Sequence, residues 1–309
     1  MPVAEISIVI PCYRSTEALK ALVVRLLHVG EELGSVIQII LVDDASPDNT
    51  WHILVELKEC FGDSLKIIRL LKNCGQHNAL LCGMSHSSGS VVITMDDDLQ
   101  NLPEDIPKLL AQISAGFDLA IGSYEIKQHN KLRNLGGSVI DCALRAIFDL
   151  PKCFQLTSFR AMNREVAANV CRMGGVFPYI TAMLLSQSGN YVNVPVSHEP
   201  RQHGVSNYNI SRSLSLAANL IFNYSSYPIY FIAILCLIAF AFAFAFGSYV
   251  LLKTIHDGSF VSGWPSTIVI ISFLNAFVLL SLVIFGLYLT RISQQLNQSK
   301  HSFTIKEIL

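Results

Sequence analysis

Between residues 5 and 125, short β-branched runs alternate with stretches of helical spacing, and no feature constrains the fold of this chain more. Ile6 to Ile10, Ile37 to Val42, Lys66 to Leu70, Val91 to Met95 and Asp118 to Ile121 are nearly continuous in apolar residues. Strands of that kind belong to a sheet covered on both faces. Ser15 to Leu33, Asn49 to Phe61, Gln76 to His86 and Pro103 to Ile113 carry helical periodicity, with start signals such as Asp48-Asn49 and Pro103. The alternation predicts an α/β sandwich on a mainly parallel sheet, whose ligands bind beyond the carboxyl ends of the strands.

Three of those strand ends carry polar clusters: Pro11-Cys12-Tyr13-Arg14, Asp43-Asp44-Ala45-Ser46-Pro47-Asp48, and Asp96-Asp97-Asp98. Three consecutive carboxylates after an apolar strand repel one another unless a cation sits among them, so Thr94 to Asn101 reads as a candidate divalent-metal loop.

The 309 residues are 51% hydrophobic and only 15% charged, and the excess apolarity lies late in the chain. Ser213 to Leu252 and Gly258 to Thr290 contain no Asp, Glu, Lys, Arg or His. Within them, residues 228–252 and 265–289 are each long enough to cross a hydrocarbon core of about 30 Å. Tyr224, Tyr227, Tyr230 and Trp264 stand near their ends, as interfacial aromatics do. The expectation is a transmembrane hairpin in a multi-pass inner (cytoplasmic) membrane protein, with the lipid bilayer as a partner. Arg201, Arg212, Arg291, Lys300 and Lys306 lie outside the hairpin and only Lys253 lies in its loop, which places the domain before the hairpin and both termini on the cytoplasmic side. Ile210, Leu214, Ala217 and Ile221 share a helical face, predicting an interfacial amphipathic helix over 209–226. The expected organisation is thus a domain over 1–208, that helix, and a hairpin with a C-terminal tail over 227–309.

Other classes are disfavoured. A net charge of −1 lacks the basic face that nucleic acid requires. The eight cysteines show no C-x-x-C spacing and read as reduced, buried small hydrophobes. No basic segment followed by an apolar core opens the sequence, so no signal peptide is expected.

Six segments then occur in one order: Ile8 to Tyr13, Val42 to Thr50, Asn73 to Ala79, MDDDLQNLPE from Met95 to Glu104, Ser158-Phe159-Arg160, and Arg201 to Tyr208. Together they resemble glycosyltransferase family 2, in its polyprenyl-phosphate branch with a GT-A domain and two membrane helices. The resemblance implies donor contacts at Pro11, Tyr13, Asp44 and Asp97, with Pro11 and Asp44 beside uracil and ribose. It implies a metal shell of Asp96, Asp98 and Gln100 for Mg²⁺ or Mn²⁺, which suits hard oxygen ligands on a diphosphate. Lys131, Arg133, Arg201, Ser206 and Tyr208 would bind the acceptor phosphate, and Asp96, Asp98 and Arg201 would carry catalysis. The implied reaction is inverting transfer of a hexose from a UDP-sugar to undecaprenyl phosphate, giving a lipid-linked monosaccharide for cell-surface glycosylation, such as O-antigen modification of lipopolysaccharide. Homo-oligomers are also implied. GDP-mannose with a dolichol-type lipid is an alternative, as is a non-catalytic membrane scaffold. His77 reads as a packing or hydrogen-bonding residue rather than a base. Ser158, Asn207 and Gly286-Leu287-Tyr288 depart from the pattern, where Asp, Lys and an acidic Gly-Glu-Tyr segment are common.

Overall fold

The computed structural model describes residues 5–15, 18–124, 144–145, 147–148, 150–151, 154–173, 178–199, 231, 234–239, 241–242, 245–246, 249, 252, 256, 263–297 and 303–309. Its first five strands are β1 (Ile6–Cys12), β2 (Ile37–Asp43), β3 (Leu65–Leu70), β4 (Val91–Thr94) and β5 (Leu119–Tyr124). Between them run α1 (Ala18–Leu33), α2 (Thr50–Phe61), α3 (Gln76–Ser85) and α4 (Ile106–Ser114). Then follow β6 (Arg160–Asn163), α5 (Arg164–Met173), α6 (Ile180–Gln187), β7 (Tyr191–Val196), α7 (Trp264–Asn297) and β8 (Ile305–Ile308).

The strands form one eight-stranded sheet in the order β7-β5-β6-β4-β1-β2-β3-β8. β1 pairs in parallel with β2 and β4, and β2 with β3, while β6 runs antiparallel between β4 and β5. This is the expected α/β architecture on a mostly parallel sheet. Every residue of β1 is buried, because helices cover both faces of the central strands. The apolar core joins Ile8, Ile10, Ile39, Leu41 and Ile67 to Leu19, Leu22, Leu26 and Leu54 of the helices. On the other face α3 lies directly on β1 and β2: a Cβ added at Gly83 would stand 2.2 Å from Val9 Cγ1 and 3.1 Å from Val42 Cγ2.

Two compact units divide the chain, one of residues 1–220 with 298–309 and one of residues 221–297. In the first, the segment expected as a tail contributes β8, which closes the β3 edge in antiparallel pairing. The second contains α7, which packs Phe273 edge-on against Phe277 with centroids 4.9 Å apart, and Ser281 Oγ lies 3.4 Å from Cys236 Sγ.

The multi-pass membrane location is corrected: among the described residues, no helix is long and apolar enough to cross a membrane. A span needs about 20 consecutive apolar residues in one helix. Residues 228–252 are described only in short pieces, so no continuous helix of that length is described there, and α7 has other bounds than the expected 265–289, running from Trp264 to Asn297. The interfacial helix expected over 209–226 lies outside the described residues, as do Lys131, Arg133, Arg201, Ser206 and Tyr208.

Candidate active site

β1, β2 and β4 stop on the same side of the sheet because they are parallel neighbours, and each is followed by a residue in the left-handed region. Arg14, Ala45 and Leu99 have φ of 54°, 51° and 57°. Such conformations are unfavourable for side-chain-bearing residues and persist where surrounding contacts hold them, commonly at functional sites. Arg14 is held by its N–H donating to Ser46 Oγ at 3.1 Å, and Ala45 by Ser46 N–H donating to Asp43 Oδ1 at 2.9 Å.

The three strand ends bound a cavity of about 550 Å³. β1 lends Pro11, Cys12 and Tyr13; Asp44 follows β2; Asn73, Gly75 and Gln76 come from the β3–α3 connection; and Asp96, Asp97, Asp98 and Gln100 follow β4. The candidate donor and metal residues Pro11, Tyr13, Asp44, Asp96, Asp97, Asp98 and Gln100 thus share one cavity. Its walls are anionic at Asp44 and the triple-aspartate loop.

Each carboxylate is held differently. Asp44, buried, accepts the N–H groups of Cys74 at 2.7 Å and Gly75 at 2.8 Å on its two oxygens. It therefore also ties the β3–α3 connection to the end of β2. Burial raises its pKa, and those two amides oppose the rise. Asp96 accepts Gln76 Nε2 at 2.8 Å on Oδ1 and Ser158 Oγ at 2.5 Å on Oδ2. Asp98 Oδ1 accepts the Gln100 N–H at 3.2 Å, closing the turn. Asp97 accepts from Ser15 Oγ, and its pKa is pushed up to about 6, chiefly by burial and further by the charges of Asp96 and Asp98.

That accumulation of negative charge bears on whether the loop suits a divalent cation. Among the described residues, no group of three or more His, Cys, Asp or Glu is arranged to hold a cation alone. Mg²⁺ and its close analogues do not require one, since one or two carboxylates together with substrate phosphates complete their shell. Asp96 and Asp98, on one loop of a cavity with room for a diphosphate, fit a divalent ion that is shared with a ligand.

Several contributors were given no role from the sequence, although Gln76 lies within the Asn73 to Ala79 segment. Ser15 and Gln76 are ordinary polar residues until the fold sets them against Asp97 and Asp96. Behind the acidic loop, Tyr124 Oη donates to Asn101 Oδ1 at 2.6 Å and its ring lies over His198, with centroids 4.1 Å apart. Asn101 and His198 form a β-bridge, and the Glu199 N–H donates to Gln100 O at 3.1 Å. The segment after β7 is thereby laid against the aspartate loop.

His77 is half-buried edge-on against the Tyr179 ring, with centroids 4.8 Å apart, and its buried Nδ1 has no hydrogen-bond partner. Burial, aided by the positive charge of Arg160, lowers its pKa to about 4, so the ring is neutral near pH 7. Arg160, 3% exposed, donates from Nη1 to Thr181 Oγ1 at 3.2 Å.

Comparison with known proteins agrees with this architecture. The family model described as "Glycosyl transferase family 2" matches residues 7–175, more than half of the chain. Among solved structures, glucosyl-3-phosphoglycerate synthase from Mycobacterium tuberculosis, in complex with Mn²⁺, UDP and glucosyl-3-phosphoglycerate, is 17% identical with a TM-score of 0.50; the match covers 71% of this chain and 78% of that one. A structure titled only as a mycobacterial protein is 18% identical with a TM-score of 0.52, over 71% and 73% of the two chains. At these identities the likeness is one of fold.

Proposed function

We propose a donor and an acceptor for a chain that belongs to glycosyl transferase family 2 and is thereby a glycosyltransferase using a nucleotide sugar. The donor is a UDP-hexose seated in the strand-end cavity, and the acceptor is a polyprenyl phosphate such as undecaprenyl phosphate. The observation that carries this reading is the gathering of Pro11, Asp44, Asp96 and Asp98 around one cavity at the ends of three parallel strands. The presence of Mn²⁺ and UDP in the synthase of similar fold is consistent with it.

In this reading Pro11, Tyr13 and Asp44 border the nucleoside. Asp96, Asp98 and Gln100 would hold a Mg²⁺ or Mn²⁺ ion, which neutralises charge developing on the departing diphosphate. Ser158 and Gln76 keep the Asp96 carboxylate turned into the cavity. An oxygen of the acceptor phosphate attacks the anomeric carbon as the bond from that carbon to the UDP oxygen breaks, inverting the centre and releasing UDP. A phosphate monoester has a second pKa near 6 and is largely dianionic at neutral pH, so no strong base is required. Positioning and charge compensation carry the rate.

Support for the acceptor comes from the segment after β7. Glu199, bonded to the loop of Asp96 and Asp98 through Gln100, is followed two residues later by Arg201 of the R-x-x-G-x-S segment. We place Arg201, with Lys131, Arg133, Ser206 and Tyr208, on the phosphates, where a guanidinium binds oxygens in pairs.

The test incubates purified protein with Mn²⁺ or Mg²⁺, detergent-dispersed undecaprenyl phosphate and a panel of UDP- and GDP-sugars, and weighs any glycolipid by mass spectrometry. A hexosyl-phospholipid from a UDP-sugar, lost in EDTA, is expected. Transfer only from GDP-mannose, or only to a water-soluble acceptor, would overturn the donor or the acceptor respectively.

A further inference from the structure

β8 sits farthest from the acidic loop in the strand order, yet its hydrogen bonds lead straight to the cavity wall. Ile67 and Leu309 exchange N–H···O bonds at 3.0 Å in both directions, and the Leu71 N–H donates to Thr304 O at 2.8 Å. The pairing places Ile68 opposite Ile308, Arg69 opposite Glu307 and Leu70 opposite Ile305, with an irregularity between Arg69 and Leu70. Such a break in a ladder re-aims the chain that follows it. Two and four residues beyond Leu71 the connection reaches Asn73 and Gly75, which line the cavity.

The same register forms a row of charge across three strands. Asp43 of β2 is the parallel partner of Arg69, and Arg69 is the antiparallel partner of Glu307. Arg69 Nε lies 3.3 Å from the fully buried Asp43 Oδ2, and its guanidinium stands 5.4 Å from the Trp51 ring centre. Asp43 is the residue before Asp44, whose oxygens accept the Cys74 and Gly75 amides. β8 therefore touches both anchors of this wall: the start of the Leu71–Gly75 connection, and the arginine paired to the end of β2.

We propose that β8 braces the nucleotide side of the cavity, with Thr304 and Arg69 as positioning residues that hold the Leu71–Gly75 connection in its binding conformation. The proposal rests on the reading of this cavity as a nucleoside-diphosphate site. Without β8, Leu71 loses its acceptor and Arg69 faces solvent on the side that Glu307 now flanks. The connection then samples conformations in which Gly75 and Asn73 no longer line the site. If the competent conformation is held only about one tenth of the time, apparent affinity falls about tenfold. An ordinary edge cover has a different signature, because capping the sheet stabilises the fold without any preference for ligand.

The experiment compares the full chain with a version ending at Ser302 and with Leu309→Pro, which removes one N–H from the ladder. Mn²⁺–UDP binding is measured by calorimetry, amide exchange at residues 71–76 by mass spectrometry, and melting by circular dichroism. About tenfold weaker binding with faster exchange at Leu71, Cys74 and Gly75, both restored by adding the peptide Phe303 to Leu309 in trans, is the expected result. If the shortened chain does not fold, Leu309→Pro decides by the same two readouts, with a loss of about threefold or more expected. A variant that folds, melts lower and binds Mn²⁺–UDP as the full chain does would overturn the brace and leave β8 an edge cover. If the full chain itself does not bind Mn²⁺–UDP, the nucleotide reading of the cavity fails, and the brace fails with it.

Discussion

Ser158 Oγ stands 2.5 Å from Asp96 Oδ2, closing a carboxylate whose other oxygen already accepts Gln76 Nε2 at 2.8 Å. The two donors come from separate elements: Gln76 opens α3, and Ser158 precedes β6, with its carbonyl receiving Thr94 Oγ1 at 2.8 Å. An aspartate beside two others is thus set by its neighbours and not by its own rotamer.

Ser158→Ala should leave the fold intact and release one side of that carboxylate. A hydrogen bond to a charged group is worth about 1.5–3 kcal/mol, so kcat/KM for the nucleotide sugar should fall roughly ten- to a hundredfold. Ser158→Thr, which keeps the hydroxyl, should recover most of it. Steady-state kinetics with wild-type values for Ser158→Ala would show that Gln76 alone suffices.

Asp44→Asn is expected to be damaging beyond its loss of charge. One of the two amides that now meet a carboxylate oxygen would meet an NH₂ group instead, leaving a backbone donor opposed by a donor. An unsatisfied buried donor costs about 1–3 kcal/mol, which should appear as a lower denaturation midpoint in urea. UDP affinity, followed by calorimetry, should fall in the same variant. Unchanged stability would mean that the connection is held by other contacts.

Gly83→Ala should be among the most costly single-methyl additions in the chain, since the new carbon would lie 2.2 Å from Val9 Cγ1 in a closely packed layer. Overpacking of this kind costs about 1–3 kcal/mol. At Gly286, where a Cβ meets nothing within 4 Å, the same change should stabilise α7 by about 0.5–1 kcal/mol through helix propensity. Melting curves of the two variants should therefore move in opposite directions.

His77 predicts an acid-sensitive fold. Its pKa is lowered from 6.5 to about 4 by burial and by Arg160, so the unfolded chain takes up a proton before the folded one does. Stability should accordingly fall as the pH drops from about 6.5 towards 4, by up to about 3 kcal/mol from this residue. His77→Phe, which keeps a ring against Tyr179, should flatten the difference between pH 4.5 and 7 in urea titrations. Parallel curves for the two proteins would assign the acid sensitivity to other groups.

The alternation of apolar strands and helices over residues 5–125 was legible because each central strand is buried on both faces, which forces an unbroken apolar run whatever its neighbours. The antiparallel insertion of β6 and the addition of β7 and β8 were not. Arg160-Ala161-Met162-Asn163 is too short and mixed to declare itself, and Ile305–Ile308 follows a long uncharged stretch that suggested a membrane hairpin and a loose tail. An apolar run specifies that a segment leaves water, not what it leaves water for.

The site divides in the same way. Which carboxylates follow which strands can be read along the chain, because a strand end is a local event and parallel neighbours deliver their ends to one edge. What those carboxylates do comes from the packing of the folded layers. Asp44 ties down a backbone connection, Asp96 is gripped by Gln76 and Ser158, and Asp97 accepts from Ser15 Oγ. Those partners lie between 20 and 82 residues away in the chain, a separation over which no local pattern survives. Contacts of that span arise from strand order and helix packing, and the energies that set them belong to the folded layer as a whole.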